Sequence, residues 1–470
     1  MENIKTGRYV LNNIALRSWW LVPRAYVTGI GEEQRQVKSL TKEEFEVLKI
    51  CDGKIPVPDS ATLNSLLERK MIRPSTAGEG MDHFLMLREY NNRYFRNMTL
   101  NITERCNFNC LHCYEAVDNQ ISRSEMSLAD CRKLLKEARD CGIQNVKITG
   151  GEPLIHPDFL EIVKSVYENE MTVDRINTNV HFMNEKLADE IREIDPKIMF
   201  NVSYDGAGYH DWMRNKKGAE KDLLSKIRLL VDKGFHVRAA MTLNRVNKDA
   251  AMDSLCRMEE LGVHEFRIIR TSETPRWKLN AKDSCLTFTE YYDAMTELCR
   301  RYAAENHKID LNIFHFAKVF NRYKCYSIAT VAVSREKYDP SRPFCGIARE
   351  NVTVTPSGDV FPCTPSPGVY KAGGINFGNV FDNGLKPLLQ DGKFLNFACT
   401  GVRAIEEHDP KCGSCRFFKQ CTGGCRLIAF GLTGDLLAHD PMKCAFFEGE
   451  YYKKLEEALP GYRCMVPVEI

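Results

Sequence analysis

Three cysteines fall within eight residues at Cys106, Cys110 and Cys113, spaced C-x3-C-x2-C. Thiolates this close together suit a soft metal centre. A four-iron cluster takes four ligands and this loop offers three. The spacing therefore predicts a [4Fe–4S] cluster with one iron open to another molecule. A zinc loop, or three unrelated core cysteines, is the plainer account of an isolated triplet. The triplet is not isolated. Gly150-Gly151-Glu152-Pro153 follows the next strand-like run. Glycines there let backbone groups approach a ligand without a side chain in the way, and a carboxylate can accept hydrogen bonds from an ammonium group. Asn177-Thr178-Asn179 and Ser203-Tyr204-Asp205-Gly206 end two further strand-like runs. Singly, Asn179 and Ser203 read as turn residues satisfying backbone groups. Arg238, Arg267 and Arg270 are cations able to pair with a carboxylate, or surface ion pairs.

A second thiol pattern occupies the C-terminal region. Cys345 is followed by Gly358 and Cys363, then by Cys412-x2-Cys415-x5-Cys421-x3-Cys425, and finally by Cys444. Seven placed cysteines are far more specific than a lone C-x2-C, and a double zinc ribbon is the alternative.

The cysteine loop after a strand, with Gly150-Gly151-Glu152-Pro153 beyond it, resembles the radical S-adenosylmethionine enzymes. The C-terminal pattern resembles the SPASM domain that extends some of them. The resemblance implies three [4Fe–4S] clusters and S-adenosyl-L-methionine as cofactors, with Cys106, Cys110 and Cys113 on the catalytic cluster. It implies that Gly150, Gly151, Glu152 and Pro153 contact the methionyl amine, and that Asn179 and Ser203 reach the ribose or carboxylate. Arg238 would pair with the carboxylate or the peptide, and Tyr114 would pack on adenine. Cys412, Cys415, Cys421 and Cys444 would hold an outer auxiliary cluster, and Cys345, Cys363 and Cys425 an inner one. Relatives carry an extra thiol just before the first of the seven. Here residues 339–344 have none, and Cys325 is the nearest upstream candidate. Otherwise the inner site is open and able to take a substrate thiolate. Of the remaining cysteines, Cys131, Cys141, Cys256 and Cys299 read as structural.

Positioning these residues takes a parallel α/β domain. Strands are expected at 98–103, 145–149, 173–178, 197–203, 235–243 and 264–270, each followed by helix-like sequence. Six repeats predict a partial (β/α)6 TIM-like barrel, whose ligands sit at the C-terminal ends of the strands. Before it, strand-like runs around 14–27 precede the capping box Thr41-Lys42-Glu43-Glu44 and a short helix bearing Phe45 and Leu48. Ser60 caps a second helix bearing Leu63, Leu66 and Leu67. This winged-helix-like unit resembles the peptide-recognition domain fused to maturases of ribosomally made peptides. There a leader adds as a strand to a sheet edge, and the strands around 14–27 are the expected receiving edge. The expected domains are 1–80 for leader recognition, 97–310 for the radical barrel, and 311–470 for a bridging region and SPASM domain.

In 470 residues, hydrophobic content of 43%, charged content of 27% and a net charge of +2 describe an ordinary soluble protein. No basic block interleaved with aromatics supports a nucleic-acid partner. No apolar run approaches the roughly 20 residues that span a bilayer. Nineteen cysteines without a signal peptide point to thiolates kept reduced in a cytoplasm. The expectation is a peptide maturase that takes hydrogen from a precursor peptide and installs a Cys thioether, with a flavodoxin- or ferredoxin-type electron donor. Carbon–carbon crosslinking, epimerisation and formylglycine generation in a sulfatase are the enzymatic alternatives. An iron–sulfur DNA-binding regulator is the non-enzymatic one. Thr364 stands after Cys363, where sulfatase-maturing enzymes tend to carry a carboxylate.

Overall fold

A computed structural model describes residues 6–12, 14–19, 22–27, 37–77, 79, 81, 85–90, 95–113, 124–282, 284–332 and 334–469. The chain divides into two compact units, Met1–Phe95 with Ala138–Ile143, and Arg96–Glu137 with Gln144–Ile470.

In the first unit Ile14–Trp19 and Val22–Val27 pair antiparallel as a hairpin. Thr41 accepts from the Glu44 amide at 3.1 Å and donates its own amide to the Glu44 carboxylate at 2.8 Å. This reciprocal cap starts the helix Lys42–Ile50. Ser60 caps the helix Ala61–Glu68. Phe45, Leu48, Leu63 and Leu66 recur at helical spacing and join Leu11, Leu16 and Ile72 in one buried cluster. The sheet order corrects one expectation. Val22–Val27 is flanked by Val37–Ser39, and Ile14–Trp19 by Arg88–Tyr90. The hairpin strands are therefore the inner pair, and the outer strands of the sheet are Val37–Ser39 and Arg88–Tyr90.

In the second unit six strands follow one another in chain order, each parallel to the last: Asn97–Asn101, Asn145–Thr149, Thr172–Thr178, Met199–Ser203, His236–Leu243 and Glu265–Arg270. They agree with the expected positions to within about two residues, the usual latitude at element ends. The sheet continues beyond six. Asp310–Ile313 lies parallel beside the sixth strand, and Asn351–Val354 parallel beside the first. The expected boundary at 310 thus falls on the first residue of a strand that extends the barrel sheet.

Alternation along the strands separates two faces. Val146, Ile148, Ile176, Phe200, Val202, Val237 and Phe266 are fully buried. The helix Phe159–Glu168 buries Phe159, Ile162, Val163 and Val166 on one stripe. The intervening strand positions carry Lys147, Arg175, Asn177, Asn201, Arg238 and Arg267. No helix among the described residues is long and apolar enough to cross a membrane.

Candidate metal and cofactor site

The cysteine loop leaves the C-terminal end of the first strand and is held from several sides. Gly151 donates its amide to Thr103 O at 2.7 Å, and Glu152 to Arg105 O at 2.9 Å. A Cβ on Gly150 would meet Thr103 O at 2.6 Å, and one on Gly151 would meet Arg105 O at 2.4 Å. Both lie inside van der Waals contact, so the glycines are required by the close approach of the cysteine loop itself. Asn179 Nδ2 donates to Asn107 Oδ1 at 2.8 Å. Leu111 donates its amide to Met213 O at 3.0 Å. Arg276 donates to Cys110 O at 3.0 Å and pairs with the Asn109 side chain.

The three thiols share one space. Burial pushes the Cys106 thiol up to about 12, and Cys110, Glu152 and Cys113 add to it, while the Phe108 amide opposes. Binding a metal ion deprotonates such thiols outright. Three thiols on a loop with a fourth position left to a ligand fit a four-iron cluster.

Glu152 is held by the protein around it. It is fully buried, and its carboxylate accepts from Leu154 N at 3.0 Å, Thr178 Oγ1 at 2.6 Å and Asn179 N at 2.7 Å. Burial pushes its carboxyl up to about 7 against these donors. The group braces the second strand end against the third. Pro153 is buried and opens the short turn Pro153–Ile155. Asn179 serves the loop: Nδ2 holds Asn107, and Oδ1 accepts from His181 N at 3.0 Å. Ser203 is half-buried at the last position of the fourth strand. Tyr114 lies outside the described residues.

Arg238 is engaged within the sheet. It is the third residue of the fifth strand, with Glu265 beside it on the sixth. Its Nε lies 2.7 Å from Glu265 Oε1, and Lys318 and Asn312 also bond that carboxylate at 3.1 and 2.9 Å. Register places the guanidinium low in the barrel, already neutralised. Arg270 is held by Leu286 O at 2.6 Å and by Glu273. Arg267 stacks over Phe314 at 4.7 Å, and its buried Nε has no hydrogen-bond partner among the described residues.

The cation that does face the triplet is Arg214, which sequence reasoning missed. Its Nη1 lies 3.6 Å from Cys110 Sγ, and its Nε 2.6 Å from Asp205 Oδ2. Asp205 is fully buried. Burial opposes its charge, yet Arg214, His112 and His210 hold it below the ordinary carboxylate range. Its Oδ1 accepts from Thr242 N at 3.1 Å, and its amide donates to His210 Nδ1 at 3.2 Å. Burial also pushes the His112 imidazole down to about 4. The signal was present: Asp205-Gly206 is followed by His210-x3-Arg214, one helical turn apart, and the helix His210–Arg214 turns both toward Asp205.

The C-terminal thiols form two groups. A cavity of about 40 Å³ is lined by Cys412, Cys415, Cys421 and Cys444, with Lys411 and Asp440 at its wall. Asp409 and Asp440 cap the helices Pro410–Gly413 and Pro441–Glu448, each with proline at the first helical position. These caps set Cys412 and Cys444 in place. Burial pushes the Cys412 thiol up to about 12, with Asp409, Cys421 and Cys444 adding to it. The second group is Cys345, Cys363 and Cys425. Burial pushes Cys363 well up, and Cys425 and Cys345 contribute in the same direction. Asp440 joins the groups, because its Oδ2 accepts from Cys425 N at 2.9 Å. Arg426, fully buried, donates to Leu436 O and Ala438 O, each at 2.8 Å. Cys325 lies in the strand Cys325–Ile328, paired with Ala317–Phe320 and Arg463–Cys464. Four thiols around one cavity fit a four-iron cluster or zinc equally by donor set.

Residues 100–255 match the Radical SAM superfamily, and residues 345–422 match an iron–sulfur cluster-binding domain, SPASM. That match favours iron over zinc. An AdoMet-dependent heme synthase of Methanosarcina barkeri is 23% identical over 354 residues, covering 74% of this chain and 96% of the relative. A PqqA peptide cyclase of Gluconobacter oxydans is 23% identical over 358 residues, covering 76% and 92%. The crystal structure of Streptococcus suis SuiB bound to S-adenosylmethionine superposes with a TM-score of 0.64 at 15% identity, covering 93% of this chain and 99% of SuiB. SuiB has also been solved with its precursor peptide SuiA, with a TM-score of 0.63 at 14% identity.

Proposed function

We propose that this chain, a radical S-adenosylmethionine enzyme carrying a SPASM domain, modifies a ribosomally made precursor peptide and installs a Cys thioether. When bound, the cluster and S-adenosylmethionine supply a 5′-deoxyadenosyl radical, which takes a hydrogen atom from carbon. The chain's residues provide the rest. Cys106, Cys110 and Cys113 hold the catalytic cluster in a loop fixed by Gly151, Asn179 and Arg276. Arg214, anchored by Asp205, is the cation placed to receive the methionyl carboxylate, the role expected of Arg238. Gly150, Gly151 and Glu152 act on the cofactor through the backbone they shape. Ser203 stands at the C-terminal rim for the ribose.

Forming C–S from C–H and S–H removes two hydrogens. One leaves as the abstracted atom, the other as the thiol proton, and the remaining electron would pass to an auxiliary iron–sulfur cluster held by the C-terminal thiols. The observation that carries this reading is the second group of thiols, Cys345, Cys363 and Cys425, while the backbone of Cys325 is paired within a strand. A three-thiol site leaves one iron for the peptide thiolate and lies in the same domain as the four-thiol site. The outer site is Cys412, Cys415, Cys421 and Cys444. Two auxiliary clusters with the catalytic one make three. A PqqA peptide cyclase among the relatives and a precursor-bound SuiB among the structures support a peptide substrate. The leader adds to an outer strand of the N-terminal sheet, Val37–Ser39 or Arg88–Tyr90. A flavodoxin- or ferredoxin-type protein delivers the starting electron.

The test uses reduced, reconstituted enzyme and a Cys-containing candidate precursor peptide. The expected product has lost two hydrogens and resists thiol alkylation, and the Cys→Ala peptide gives no such product. Loss of two hydrogens with all thiols still alkylatable would reassign the bond to carbon–carbon. Unchanged mass with deuterium uptake from solvent would reassign it to epimerisation. Deleting residues 1–74 should weaken precursor binding while sparing uncoupled 5′-deoxyadenosine formation.

A further inference from the structure

A cluster outside the thiol sites has ligand chemistry that the proposed reaction does not use. Cys256 and Glu259 lie on the helix Ala251–Glu260, Glu305 ends the helix Phe288–Glu305, and His307 follows just before the strand Asp310–Ile313. The ligand atoms of Cys256, Glu305 and His307 all lie within 4.8 Å of one another. Sequence reading took Cys256 for a structural residue, but its thiol is half-buried beside these groups.

The imidazole is oriented. His307 Nδ1 lies 2.6 Å from Glu259 Oε2, and Nε2 lies 3.1 Å from Glu305 Oε2. Glu259 is fixed in turn, its other oxygen accepting from the Lys308 and Ile309 amides. The ring also stacks on Tyr302, with centroids 5.4 Å apart. A metal-binding histidine usually donates its second ring nitrogen to a carboxylate, which sets the tautomer and directs the other nitrogen at the ion. Glu259 does this for Nδ1, leaving Nε2 facing Glu305 and Cys256.

The helices supply a second, independent reason. Both end at this place, and a helix C-terminus carries partial negative charge that favours cations. Here the last turns carry Glu259, Glu260 and Glu305 instead. Arg257, the basic residue of the first helix's last turn, is turned away to Glu220 at 2.8 Å. Arg301 reaches Glu305 at 3.4 Å as a surface contact. Arg228 on the Glu260 carbonyl at 3.5 Å and Arg301 ease this crowding of negative charge in part, and a cation held among Cys256, Glu305 and His307 would offset it further.

We propose that Cys256, Glu305 and His307 form a zinc site that clasps the ends of these two helices to the entry of the strand Asp310–Ile313, with Glu259 as the orienting carboxylate. Thiolate, imidazole and carboxylate match zinc's mixed preference, and water fills the fourth tetrahedral position. The Cys256 thiolate and the Glu305 carboxylate balance the two charges of the ion, and the thiol proton leaves as zinc binds.

The test titrates reconstituted full-length holoenzyme with zinc chloride against a colorimetric chelator, with iron per chain measured in the same samples. One zinc per chain should bind beyond the cluster iron. Its affinity should fall at least about 10-fold in His307→Ala and in Cys256→Ser, and about 10–100-fold in Glu259→Gln. Iron content and 5′-deoxyadenosine formation should be unchanged. Zinc should raise the melting temperature of the wild type and of neither ligand variant. Cys256→Ser is close to isosteric, so it remains informative where His307→Ala fails to fold. No zinc beyond the iron overturns the site. So does zinc that binds Cys256→Ser as tightly as wild type, because that zinc sits on the cluster thiols or on carboxylates alone.

Discussion

Asp205→Asn isolates the contribution of the ion pair beside Cys110. The substitution keeps the side-chain shape and an oxygen for the Thr242 amide, but removes the charge opposite Arg214. That guanidinium is 2.6 Å from the carboxylate and itself buried. Removing one partner of a buried pair costs about 3–5 kcal/mol, since the other charge is left uncompensated. An exposed pair would give no more than about 1 kcal/mol. Arg214→Met should cost a similar amount for the mirrored reason. The double variant buries no unpaired charge, so it should recover about 2 kcal/mol or more of the summed loss. Urea unfolding followed by tryptophan fluorescence measures this. Trp212 shares a helix with Arg214, and Trp277 one with Arg276, and their rings are 6.1 Å apart. Iron per chain, read in parallel, should fall by about one cluster in each single variant. A loss under about 1 kcal/mol in Asp205→Asn, or strict additivity in the double variant, would refute the reasoning.

Gly151→Ala should displace the start of the cysteine loop, because its Cβ would lie 2.4 Å from Arg105 O. Iron analysis should show the triplet's cluster depleted with the C-terminal iron retained. Changing Cys106, Cys110 and Cys113 together to Ala should remove about four irons and abolish 5′-deoxyadenosine formation, and full reductive cleavage of S-adenosylmethionine by that variant would disprove the assignment. Acid should destabilise the second unit through partly buried histidines that desolvation keeps neutral. Burial pushes His236 down to about 4 and His315 to about 3. Their contribution is complete above the ordinary histidine range and is lost as pH falls from about 6.5 toward those values. His315→Asn, which tolerates the left-handed backbone at φ 61, should flatten that part of the pH–stability curve.

The sequence alone brought the candidate ligands close along the chain, while the sorting of the C-terminal thiols into two groups needed the fold. Cys106, Cys110 and Cys113 lie on one short loop, and Cys412, Cys415, Cys421 and Cys425 on one short segment, so spacing confines where their thiols can go. It also determined the six barrel strands, because apolar runs with helix-like sequence between them leave few other ways to bury their surface. The long-range partners were decided only by tertiary structure. Arg238 and Arg214 are both arginines near barrel motifs. Inter-strand register sets Arg238 against Glu265, and a helix after the fourth strand swings Arg214 to Asp205 and Cys110. Glu152 reads as a candidate ligand group in one dimension, and only the fold shows that Thr178 and Asn179 also bond its carboxylate. The hairpin around 14–27 reads as a free edge until Val37–Ser39 and Arg88–Tyr90 pair along it. Whether a polar or charged group serves a ligand or the fold depends on which distant groups reach it first. Chain spacing fixes only neighbours within a few residues, so those encounters are settled by register and packing.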